Sequence, residues 1–279
     1  SMTRRCTPMN PISPESRRLA WPLRPLLREL YAPIAYVGAV TPGDGERFAR
    51  LGVPPAAIEI TGDPRHDQVL ERIVDLTAIT PLIPWSMRHP VLVAGSTHAS
   101  DEAVVLRAFA EVRRGHPGAG LLIVPHEPGS RATERVCKMA RRLRLEITSW
   151  PGPADLDDPP SLVVETLGHL ADLYTCAQLA YVGGGFQPAG VHSVIEPAAY
   201  GTPVVFGPAW SKSQDAQRLL AEGGGAALPA RGAAQALAQR WTDWLSDPAE
   251  RTSAGHRARR TITAGAATAT ATALLRLLE

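Results

Sequence analysis

Leu179-Ala-Tyr-Val-Gly183-Gly-Gly-Phe-Gln-Pro-Ala-Gly190-Val-His192-Ser193-Val-Ile-Glu196-Pro197 is an apolar run that turns through a glycine-rich loop and re-enters a helix-like pattern at Val194. A strand, a glycine loop and a helix N-terminus in that order are how α/β proteins build a site for phosphate. Glycine lets the backbone approach the anion, and the unpaired amides of the first helical turn point at it. His192 and Ser193 stand where a ligand-facing imidazole and an N-cap are expected. Glu196 follows within the helix, in reach of the vicinal hydroxyls of a sugar. Phosphate and sugar together make a nucleotide sugar the expected ligand.

Composition narrows the field. The chain has 279 residues, 44% of them hydrophobic, and a net charge of +2. That is enough to bury a sizeable core, and it gives no global pull toward nucleic acid. Cys6, Cys137 and Cys176 are odd in number and lack metal-ligand spacing. The expectation is a reduced cytoplasmic protein without structural disulfides, cofactor or bound metal. No apolar run reaches the roughly 20 residues that span a bilayer.

Outward from the glycine loop, strands and helices alternate. Toward the N-terminus, strands are expected at 91–94, 120–125, 145–149 and 161–164, with helices at 103–114, 131–144 and 170–176 between them. Toward the C-terminus the pattern predicts helix 194–200, strand 204–206, helix 212–222, and two terminal helices near 231–246 and 249–277. This is a parallel sheet covered on both faces, whose ligands bind beyond the C-terminal strand ends. The loops 95–98, 125–131, 165–169, 183–192 and 207–213 all lie at such ends. Residues 77–89 carry prolines and no period, and read as a hinge. Before them, strands at 33–40 and 57–61 with helices at 43–51 and from Gly62 to about Leu76 form a fragment of a second α/β domain. Leu19, Leu23, Leu26, Leu27 and Leu30 follow helical spacing among arginines. This basic helix suits packing on its own domain first, and an anionic membrane surface second.

Taken together, these loops resemble those of the bacterial Kdo transferases, which move 3-deoxy-D-manno-octulosonic acid (Kdo) from its CMP donor onto lipid A precursors. Ser96-Thr97-His98 with Asp101-Glu102 is similar to the family's Ser-Thr-His and following acids. Glu165-Thr-Leu-Gly168-His169-Leu170 is similar to its Asp-Thr-Leu-Gly-Glu-Leu. Tyr181 to Gly185, Ala189 to Ser193, and Ile195-Glu196-Pro197 resemble its Phe-Val-Gly-Gly-Ser, Gly-Gly-His-Asn and Leu-Glu-Pro elements. Gly201-Thr-Pro-Val204, Arg47 to Gly52 and Thr61 to Asp67 extend the likeness, and Asn10 to Ser13 is a fainter echo. His126-Glu127 stands where the family has Arg-His, and Ser193 where it has Asn.

The resemblance implies a GT-B fold of two Rossmann-like domains, with residues 90–279 as the donor domain, 77–89 as the hinge, and 1–76 as part of an acceptor domain most of which is missing. The implied donor site comprises Ser96, Thr97, His98, His126, Arg131, Gly168, Gly184, Gly185, His192, Ser193 and Glu196. In GT-B enzymes generally a glutamate at the position of Glu196 holds the ribose. The implied partners are CMP-Kdo and a lipid acceptor, with peripheral contact at the cytoplasmic face of the inner membrane and homo-oligomerisation over an unpaired sheet edge. Inverting, metal-independent transfer is implied. The family's catalytic glutamate has no counterpart here, so no catalytic residue carries over. Two other readings stay open: a non-catalytic nucleotide-binding remnant, and a UDP-sugar transferase or epimerase.

Overall fold

The computed structural model describes residues 5–6, 24–72, 79, 82–151 and 161–277. The chain divides into a contiguous unit, Ile73–Ile262, and a second unit that joins Ser1–Arg72 to Thr263–Glu279.

The contiguous unit is built on β4 (Val91–Thr97), β5 (Gly120–Pro125), β6 (Ile147–Trp150), β7 (Ser161–Val164), β8 (Leu179–Val182), β9 (Val204–Phe206) and β10 (Gly225–Ala227). They form one parallel sheet in the order β10-β9-β8-β4-β5-β7-β6. Apolar residues on both faces explain the near-complete burial of β4, β5, β7 and β8, which read as unbroken apolar runs because helices cover each side. On one face α5 (Ala99–Gly115) packs against α10 (Ala233–Ser246), and Leu106, Phe109, Leu121, Tyr181 and Trp241 share a core cluster with them. Each such buried apolar side chain contributes about 1.5–3 kcal/mol. Helices α6 (Ser130–Arg142), α7 (Leu170–Leu173), α8 (Ile195–Ala199), α9 (Gln214–Glu222) and α11 (Pro248–Arg260) also belong to this unit.

The chain order reverses about β4, whose neighbours are β5 on one side and β8 on the other. Such a switch point opens a crevice beyond the strand ends, because the connections leave in opposite directions. The loop after β4 and the glycine loop after β8 flank it.

The other unit carries a small parallel sheet of β1 (Arg5–Cys6), β2 (Ile34–Ala39) and β3 (Ile58–Ile60). Helix α1 (Arg24–Tyr31) precedes β2, and α2 (Pro42–Leu51) runs from a Thr41 N-cap to Gly52, which closes it at φ +108°. Helix α3 (Pro64–Glu71) is followed in this unit by α12 (Ala266–Arg276).

Three expectations change. The segment expected as a hinge contains helix α4 (Ile83–Arg88), and Trp85, Leu82 and Ile79 are fully buried. Its apolar residues are spaced irregularly by prolines, which hid a packed turn of helix behind a linker-like composition. The single helix expected at 249–277 is two, separated at Thr261–Gly265, where Gly265 takes φ +105°. The second of them belongs with the N-terminal residues rather than with the contiguous unit. Asp67 explains this: its carboxylate accepts from the N–H groups of Gly265 at 2.5 Å and Ala267 at 2.7 Å, capping α12. The Asn10–Ser13 echo and the start of the basic helix lie outside the described residues. No helix among the described residues is long and apolar enough to cross a membrane.

Candidate functional site

Asp101 organises the crevice. Fully buried in the first turn of α5, it accepts from the backbone N–H of His98 at 2.9 Å through Oδ2. The same oxygen takes the N–H of Gly184 at 3.1 Å, and Oδ1 takes the Tyr181 hydroxyl at 2.7 Å. One carboxylate therefore ties the end of β4, the start of α5 and the glycine loop together. The sequence carried a signal for it: an acid three residues after a strand-end residue, the spacing of a capping interaction.

Three histidines converge above it. His98 follows β4 as the N-cap residue of α5, His126 follows β5 and His192 closes the loop after β8. Nε2 of His98 lies 3.1 Å from Nε2 of His192. The His126 and His192 rings stack with centroids 4.3 Å apart and planes 16° from parallel, and His98 lies 4.8 Å from His126. Backbone bonds hold each in place: His98 through Asp101, His126 N–H to the Thr97 carbonyl at 2.9 Å, and His192 N–H to the Gly183 carbonyl at 3.0 Å. Burial, with His126 and His98 alongside, pushes the His192 imidazole below its ordinary range, and Asp101 opposes the shift. His192 is thus a neutral ring at neutral pH.

The glycine loop packs closely against its own neighbours. Its amides are largely spent on the protein itself: Gly183 bonds the Gly95 carbonyl, Gly184 bonds Asp101, Gly190 bonds Gln187, and Val191 bonds Ala209. A side chain at Gly185 would meet the backbone of Gly207, and one at Gly183 that of Ser96 and Thr97. The glycines are required by close backbone packing. The helix that follows is only five residues long, and its N-cap is Val194 rather than Ser193.

Glu196 lies in the first turn of α8, partly exposed, and accepts the Ser193 hydroxyl at 2.7 Å. Its charge, after burial, holds the Tyr174 phenol above its ordinary range. Ser96 is held at φ +51°, a left-handed conformation costly for a residue with a side chain and typical of functional turns. Thr97 is buried, and its hydroxyl donates to the Val124 carbonyl at 3.5 Å. Gly168 sits exposed at φ +94° in the loop after β7. Arg131 lines a shallow groove on α6 with Glu134, Arg135 and Lys138. His169 packs edge-on against Trp150 with centroids 5.5 Å apart. The structure brings His98, His126 and His192 together and leaves Arg131 and Gly168 outside that trio.

One further pair supports the crevice. Buried Glu102 receives both arms of the Arg135 guanidinium at 2.7 Å, tying α5 to α6.

No protein-family profile matches the chain. Individual relatives do. A 3-deoxy-D-manno-octulosonic acid transferase from Bordetella pertussis is 32% identical over 254 residues, covering 87% of this chain and 56% of that protein. The enzyme of the same name from Chlamydia pneumoniae is 31% identical over 66% of this chain and 42% of its own length. The chain is a homologue of the Kdo transferases. This Kdo-transferase homologue spans about half the length of the curated relatives it matches. Among solved structures, the C-terminal CMP-Kdo binding domain of WaaA from Acinetobacter baumannii superposes with a TM-score of 0.58 at 20% identity, over 71% of this chain and 99% of that one. UDP-GlcNAc 2-epimerase from Neisseria meningitidis gives 0.65 at 12% identity, over 95% and 68%. The Kdo-transferase homologue therefore has a GT-B-like α/β fold, as its loop order implied.

Proposed function

We propose that the chain supplies the donor half of a Kdo-transferase-type glycosyltransferase, binding CMP-activated Kdo beyond the C-terminal ends of β4 and β8. What supports this reading is a convergence. The strand-end Ser96-Thr97-His98, the 183–192 loop and Glu196, three of the stretches that resemble the family, belong to loops around one switch point, and His98 lies 3.1 Å from His192 across it.

In this reading the Glu196 carboxylate accepts hydrogen bonds from the ribose hydroxyls, and Ser193 keeps it aimed. His98 and His192 meet the phosphate or the sugar acid. A hydroxyl of the lipid A-type acceptor attacks the anomeric carbon of Kdo in line. The new carbon–oxygen bond forms as the bond to phosphate breaks, CMP leaves with the electron pair, and configuration inverts. The hydroxyl proton passes to a base that is not among the residues matching the family here. Fixed donors around the leaving phosphate lower the barrier because they need no reorientation as charge develops.

Titration calorimetry tests the donor half. CMP is expected to bind more tightly than UDP or GDP, and Glu196→Ala to weaken it by about 1.5–3 kcal/mol. Equal affinity for all three nucleotides overturns the reading. Incubation with CMP-Kdo and a lipid acceptor separates an enzyme from a non-catalytic donor-binding chain: product formation supports the first.

A further inference from the structure

We propose that His98, His126 and His192 form a binding site for one divalent cation of the Zn²⁺ class, a role that the donor reading neither contains nor requires. The metal-independent expectation drawn from sequence had no reason to find it, since the three histidines are far apart along the chain and only the parallel sheet converges them.

The geometry carries the proposal. One nitrogen from each ring lies within 4.8 Å of the others. Bonds of about 2.0–2.1 Å in a tetrahedral zinc site put ligand nitrogens about 3.4 Å apart. The His98 and His192 nitrogens are already at 3.1 Å, whereas the His126 ring, stacked on His192 at 4.3 Å and 16° from parallel, has to swing out of the stack before its lone pair joins theirs. An all-imidazole donor set suits zinc and its neighbours, whereas calcium and magnesium take oxygen ligands. Exposed His126 leaves a path for the ion to enter.

The support lies in the backbone: each histidine is anchored by its own main-chain bond, and Asp101 locks two of the three loops to each other. Three protein ligands leave one tetrahedral position open, as in sites where zinc meets a water or a substrate. An oxygen of an anionic group, phosphate or carboxylate, is the ligand that position would take.

The test uses the full chain, stripped of metal with a chelator and dialysed against Zn²⁺ without nucleotide. One zinc per chain is expected by elemental analysis. His126→Ala and His192→Ala should each weaken zinc by more than about 100-fold in competition with a chromophoric chelator, since loss of an outer-shell partner alone costs about 10–100-fold. Unchanged far-UV circular dichroism in the exposed-site variant His126→Ala keeps the comparison free of unfolding. Co²⁺ provides a second readout, because its visible spectrum reports a tetrahedral nitrogen set directly. Zinc that stays bound in His126→Ala and His192→Ala, or no zinc above that retained by the variant lacking all three histidines, overturns the site. CMP binding by zinc-free protein would leave the donor reading standing whatever the metal result.

Discussion

The Tyr181 hydroxyl donates a 2.7 Å hydrogen bond to Oδ1 of Asp101, while Oδ2 of the same buried carboxylate holds the backbone of His98 and Gly184. Three donors and one anion form a closed set, with no water needed to complete it. Burial first, and then the Asp101 charge, raise the Tyr181 phenol, so it stays a proton donor at every pH the protein meets.

Asp101→Asn should therefore be more damaging than its size suggests. The amide offers a donor where three donors already point, leaving at least one unsatisfied at about 1–3 kcal/mol. Tyr181→Phe removes one donor and leaves the carboxylate with two, costing about 1 kcal/mol. Chemical denaturation checks the order. A Tyr181→Phe variant less stable than Asp101→Asn would contradict it.

Glu102 and Arg135 make a second test. The carboxylate is fully buried, but the Arg135 side chain is 39% exposed, so the pair is worth less than a wholly buried one. Arg135→Ala strands a buried charge and is expected to cost about 1–3 kcal/mol. The double variant Glu102→Gln with Arg135→Ala should recover part of that loss. No recovery would mean that the guanidinium acts mainly by packing.

Gly185→Ala should destabilise the contiguous unit by about 1–3 kcal/mol, because a Cβ there would lie 2.5 Å from Gly207 N and 2.6 Å from its Cα. Both neighbours are backbone and cannot swing aside. Gly118→Ala, whose Cβ would only approach a His89 side chain at 3.9 Å, is the contrasting substitution. Equal melting temperatures for the two variants would refute the close-packing account.

Acid sensitivity of the other unit should trace to Asp63. Burial alone would raise its carboxyl, but the Arg65 side chain and backbone N–H outweigh that and hold it below the ordinary 3.8. A carboxyl lowered in the folded state stabilises above its unfolded value and loses that contribution as pH falls through the folded one. Asp63→Asn should flatten the stability profile below about pH 4. A profile as steep as that of the unmodified protein would assign the effect to other groups.

Much of the contiguous unit was legible in the sequence because its strands are long apolar runs between helices of clear period. Six of its seven strands could be read that way. Gly225–Ala227 was not, since three small residues carry neither β-branching nor alternation. The site was legible in part. Position along the chain tied the loop histidines to strand ends, but only coordinates put His98, His126 and His192 ring against ring. Asp101 was visible as a letter in a motif, while two of its three partners lie 80 and 83 residues away along the chain. What the glycine loop serves was not legible from its letters. Glycine permits close approach to a ligand and to neighbouring backbone equally well, and composition does not say which neighbour it serves.

The capping of α12 by Asp67 sets an order of assembly during synthesis. A ribosome releases the Ile73–Ile262 stretch whole, so that body can settle while translation continues. The unit that holds Asp67 lacks this helix until residue 276 has emerged, so on a translating ribosome it is completed only after the Ile73–Ile262 stretch.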